Sequence, residues 1–157
     1  MGWLGGNIPK PLAKRRTRAI LTRMIGLRGM AGGRAEMEAM AAAALQSLPE
    51  RFRAQCDDVV IKVEEFATRE QLDAVGIEDC WDLTGLYEGR PLSERSIWDA
   101  GEMPAVVTLF RQPLLDEWRT TGVRLDDLVT HVVIHELGHH FGFSDDTMHR
   151  LEDGEEF

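Results

Sequence analysis

Between residues 35 and 48 the apolar positions Met37, Met40, Ala41, Ala44, Leu45 and Leu48 fall three and four apart, and the run stops before Pro49. That spacing predicts a helix with one buried face. A second periodic segment runs from about Leu125 to Phe141, with Leu125, Leu128, Val132, Leu137 and Phe141 on or near one face. Asp126 and Asp127 stand in its first turn, where acids suit the helix dipole. Val59-Val60-Ile61-Lys62-Val63 is short and β-branched, which predicts a strand in a partly covered position. Residues 104–111 read as the clearest strand, after which Pro113 is expected to start a helix reaching about Thr120 and closed at Gly122. In between, residues 68–75 suggest a short helix or turn, and residues 76–82 are too polar and broken to assign. Residues 83–87 and the stretch from Leu92 onward look extended, separated by a turn at Gly89. Strands interleaved with helices in this way predict an α+β fold: a small, mixed, twisted sheet packed on one long helix and one or two further helices.

Composition bounds this picture without changing it. A chain of 157 residues, 43% hydrophobic and 29% charged, suits one globular domain with a modest core. No run of 18 apolar residues occurs, so a spanning helix is not expected. Charge divides the chain more sharply. Residues 1–34 hold eight Lys/Arg and no Asp/Glu, leaving ten basic and 27 acidic residues in 35–157. The expected organisation is therefore a basic, flexible extension over 1–34 and a domain over 35–157. An acidic body repels phosphates, which argues against nucleic-acid binding by the domain, and it favours metal ions or cationic peptide segments. The basic arm could suit a membrane surface or an acidic partner. Its paired Arg15-Arg16 is similar to a twin-arginine export signal, but Arg23 and Arg28 interrupt the apolar stretch such a signal needs. With export disfavoured, Cys56 and Cys80, 24 positions apart, are expected to be reduced thiols in a cytoplasmic protein.

Chemistry concentrates in His135-Glu136-Leu137-Gly138-His139-His140-Phe141-Gly142-Phe143-Ser144-Asp145, the pattern HExxHxxGxxD. On a helix, His135 and His139 lie about 40° apart and roughly 6 Å along the axis, so both imidazoles can reach one ion. Zinc in a catalytic site takes three protein ligands and keeps one open position. Glu136, turned about 100° from His135, is a poor ligand but a good neighbour for a water at that position, which makes it the expected general base. Gly142 lets the chain turn back at the helix end. Asp145 is then the first choice for the third ligand, with Asp146 and His149 as substitutes. His131 shares the four-residue spacing with His135 but is followed by Val132 rather than an acid, and His140 points about 100° away from His139. Both are expected to play supporting parts or to lie on the surface.

On these residues the sequence resembles the small bacterial zincin-like metallopeptidases, a minimal version of the zincin fold. Two further blocks carry the resemblance: Leu86-Tyr87-Glu88-Gly89-Arg90-Pro91-Leu92-Ser93-Glu94-Arg95-Ser96 and Ser47-Leu48-Pro49-Glu50-Arg51-Phe52. It covers roughly residues 36–152 and implies a one-domain zinc peptidase with an aspartate as third ligand. Larger zincins place a methionine turn well downstream of that ligand. Here twelve residues follow Asp145, and Met148, the sole methionine among them, is expected to pack against the active-site helix.

The function expected is hydrolysis of an extended peptide or protein substrate by water activated at one Zn²⁺ ion, with Glu136 as base. Such a substrate would add as a strand to a sheet edge, offered by residues 83–96 or by the strand at 106–111. Tyr87 and Arg95 are auxiliary candidates for stabilising the oxyanion. Their ordinary readings are a half-buried strand residue and an ion-pair partner. The alternative function is a zincin-shaped metal-binding or protein-interaction module with little or no hydrolysis.

Overall fold

The computed structural model describes residues 32–96, 98, 101, 103–144 and 146–147. The arm up to residue 31, Asp145, Met148 and His149 therefore lie outside the described residues. Five α-helices and three strands are present among the described residues: α1 (Arg34–Gln46), α2 (Glu50–Arg53), β1 (Val60–Glu64), α3 (Arg69–Ala74), β2 (Gly85–Glu88), β3 (Val106–Phe110), α4 (Arg111–Thr121) and α5 (Leu125–His140).

The sheet has the order β1-β3-β2, with β1 parallel and β2 antiparallel to β3. β3 takes the centre because four of its five residues are buried, whereas β1 buries only Val63. Register puts Ile61, Val107 and Tyr87 side by side on one face, followed by Val63, Leu109 and Gly85. That face packs on α1 and α5 to make the main core. Met37, Ala41 and Ala44 are the buried positions of α1, and two alanines let it lie close along α5. On the opposite face Leu86 and Phe110 join Ala67, Leu72 and Leu83 in a smaller cluster under α3.

Helix boundaries have local causes. Thr68 opens α3 with a capping box: its Oγ1 accepts from Gln71 N–H at 3.1 Å, while Gln71 Oε1 accepts from Thr68 N–H at 3.0 Å. α4 starts two residues before the proline expected to begin it. Pro113 is its third residue, where the missing N–H belongs to the first turn and would find no helical acceptor. α2, which periodicity did not reveal, is a single turn after Pro49. Three residues that the sequence left unassigned form a 3₁₀ turn at Cys80–Asp82. Among the described residues no helix is long and apolar enough to cross a membrane.

Candidate metal centre

α5 carries the site. It is buried on nearly every side over its last nine residues, from Val132 to His140, because α1 covers one flank and the sheet the other. His135, Glu136 and His139 keep 3%, 0% and 2% of their surfaces exposed, so backbone and packing fix them before any ligand arrives.

The closest approach is to β2. A Cβ on Gly85 would stand 2.5 Å from Val132 Cγ1 and 3.3 Å from Glu136 Cγ. Only glycine lets the strand settle this tightly on the helix. The consequence is that the Glu136 side chain lies directly against the first residue of β2. Since β3 is flanked on both sides, β2 is, among the described residues, the one of the two proposed segments with a side not taken by another strand.

An imidazole nitrogen about 2.1 Å from zinc puts its ring centroid about 3.2 Å away, so two rings at a tetrahedral angle stand about 5.2 Å apart. The His135 and His139 centroids are 5.2 Å apart, with ring planes inclined by 71°. His131 and His135 are 6.5 Å apart. That exceeds twice about 3.2 Å, so in these rotamers no single ion reaches both. His131 is also exposed. The His135/His139 pair thus fits a zinc ion in donor type and spacing. Among the described residues no third His, Cys, Asp or Glu joins it to complete a metal cluster. Asp145 and His149 lie outside those residues, and Asp146 is exposed.

Gly142 ends the helix as its position suggests. Its φ is +85°, Phe143 N–H donates to Gly138 O at 2.9 Å, and Gly142 N–H donates to His139 O at 2.9 Å. This is a Schellman turn, and it directs the following residues back across the helix end. The turn also touches the loop after β2, since a Cβ on Gly142 would meet Ser93 Oγ at 2.5 Å and Ser93 Cβ at 3.2 Å. Between the two segments lies a cleft of about 100 Å³, lined by Pro91, Ser93, Glu94, His139, Gly142 and Phe143.

Tyr87 and Arg95 serve as braces here. Tyr87 is fully buried, and its hydroxyl meets His140 Nδ1 at 2.8 Å and Arg90 O at 3.3 Å. His140 Nε2 faces the Gln55 carbonyl at 3.1 Å, an acceptor only, so that nitrogen carries the proton and Nδ1 accepts from Tyr87. Burial holds His140 below its ordinary pKa, favouring this neutral form, and pushes the Tyr87 hydroxyl up to about 12. His140, expected to support the site or to lie on the surface, is in fact completely buried and ties α5 to β2 and to the turn after α2. Arg95 donates to Asp58 Oδ2 at 2.8 Å and to Arg90 O at 3.2 Å. The hydrogen bond from Arg95 holds the Asp58 carboxyl below the usual carboxylate range. Together these bonds pin the loop that forms the cleft wall.

Sequence reasoning missed Gly85, the Tyr87–His140–Gln55 chain and the cleft residues Ser93 and Glu94. A glycine inside the apolar run Leu83–Tyr87 was a usable signal of close backbone approach. Nothing in residue spacing announces the other two.

No curated protein matches the chain. A family model described as zincin-like metallopeptidase matches residues 56–155, a span containing both strands β2 and β3, all of α5 and the whole HExxHxxGxxD pattern. With well over half of its length matched, the chain belongs to the zincin-like metallopeptidase family.

Proposed function

We propose that the protein hydrolyses peptide bonds with one zinc ion held by His135, His139 and Asp145, and with Glu136 as general base. The observation that supports this reading is the packing of Glu136, next to His135 on α5, against Gly85 at the start of β2, on a helix whose His135 and His139 rings stand 5.2 Å apart. A bound ion would polarise the scissile carbonyl and make water acidic enough to lose a proton near neutral pH. Glu136 accepts that proton on a carboxylate oxygen and returns it to the leaving amine. Burial of the carboxylate shields it from bulk water and keeps its position fixed through both transfers. β2 supplies backbone groups along its open side, where an extended substrate adds as a further strand. Its scissile bond then passes over Glu136. Tyr87 and Arg95 act by holding the cleft wall, since the phenol is engaged by His140 and the guanidinium by Asp58. The free thiols Cys56 and Cys80 suit a cytoplasmic setting.

The test is digestion of a defined peptide mixture by the zinc-loaded full chain, read by mass spectrometry beside Glu136→Gln. Cleavage by the wild type, lost in the variant while zinc is retained, is the expected result. A wild type that holds zinc and cleaves nothing would leave the metal-binding module as the function.

A further inference from the structure

The cleft beside His139 has a composition of its own. Its described lining contains two apolar rings, Pro91 and Phe143, one hydroxyl on Ser93 and one charged side chain, Glu94, besides the histidine itself. No Lys or Arg is among these lining residues. The two nearest arginines in sequence do not face it as counter-charges: Arg95 is turned to Asp58, and neither Arg90 nor Arg95 lines the cleft. Glu94 makes a backbone bond, its N–H donating to Pro91 O at 2.9 Å, and its carboxylate has no ion pair among the described residues. The loop is nonetheless held in place. Arg90 O accepts from Arg95 at 3.2 Å with the Tyr87 hydroxyl 3.3 Å away, and Ser93 packs against Gly142, so Glu94 is presented on a braced turn.

A mixed slot, with two apolar rings and a carboxylate in its lining, suits a side chain that has an aliphatic stem and a cationic head, because the stem packs on the rings while the head stays near water and its counter-charge. Residues 35–157 carry 27 acids against ten basic residues, and that surplus draws cationic segments toward the site from a distance. We infer that the Pro91–Glu94 turn forms a side-chain subsite that selects substrates with lysine or arginine beside the cleaved bond, Glu94 supplying the counter-charge. This inference rests on the peptidase reading above and names the substrate class of that same site.

The experiment is a fixed-position peptide library offered to the zinc-loaded full chain, with wild type, Glu94→Gln and Glu94→Lys compared. The wild type is expected to favour Lys or Arg at one position flanking the cleaved bond. Glu94→Gln should lower the kcat/KM ratio of those peptides to peptides with a neutral residue there about tenfold, and Glu94→Lys should shift preference toward Asp or Glu. Cleavage without a basic preference, or a preference that survives Glu94→Gln, overturns the subsite. If the wild type cleaves nothing, the peptidase reading has failed, and the subsite is judged by binding instead. A fluorescent Lys-containing library peptide should then bind wild type more tightly than Glu94→Gln, and equal binding overturns it.

Discussion

The site has two halves built in different ways. His135, Glu136 and His139 stand on a helix packed on nearly every side, and they are buried to within a few per cent. The other half is made of loops: the Schellman turn at Gly142 and the Pro91–Glu94 turn, whose Ser93 and Glu94 are exposed. The helical half owes its geometry to the core, because displacing Glu136 would require α5 to part from β2 where Gly85 touches Val132 and Glu136. The loop half owes its geometry to a few specific bonds, those of Arg90 O, Asp58 and His140. Such a division places the proposed reacting groups on the rigid element and the proposed selection on loop segments that can change without loosening it.

The strongest way to separate the halves is Glu136→Gln, which replaces the proton acceptor with a near-isostere. Turnover should fall by about 10²–10⁴-fold, while zinc content and the thermal melting curve stay at wild-type values. A variant that unfolded or lost zinc would show that the carboxylate holds the helix half together rather than serving the reaction. Gly142→Ala comes next. At φ +85° an alanine is strained by about 1–2 kcal/mol, and the contact with Ser93 adds to it. Urea unfolding should give a loss of about 2–3 kcal/mol in total, with Ser93→Gly recovering the excess. Tyr87→Phe keeps the ring but strands the buried Nδ1 of His140, which should cost about 1–3 kcal/mol by the same measurement. Gly122→Ala gives the control for backbone strain: its φ is +70° and nothing lies within 4 Å of the added Cβ. Its loss should be about 1–2 kcal/mol and smaller than that of Gly142→Ala. Equal losses at the two glycines would mean that the loop after β2 does not bear on the helix end.

The same division governs how much could be read from residues alone. α5 was legible because helical periodicity, the acids of its first turn and the terminating glycine all point the same way. α1 was legible from the same periodicity, β1 from its short β-branched run and β2 as an extended run before the turn at Gly89. β3's central place was not, since short apolar runs look alike until pairing is known, and β1 is an edge among the described residues, with Val60 39% exposed. The choice of His135 with His139 rather than His131 followed from the position of Glu136; the two ring separations are 5.2 and 6.5 Å. What escaped was everything that joins residues distant in the chain: His140 to Tyr87 across 53 positions, His140 to Gln55 across 85, and Arg95 to Asp58 across 37. Such bonds depend on tertiary approach, and no local pattern encodes them.

Zinc stoichiometry tests the central claim most directly. The full-length wild type, His139→Ala and Asp145→Ala would each be loaded, desalted and analysed by elemental mass spectrometry, with circular dichroism as a check on folding. One tightly held zinc per wild-type chain, absent from both folded variants, is the predicted result. A wild type that retains no zinc, or a folded His139→Ala that keeps a full equivalent, would contradict the account.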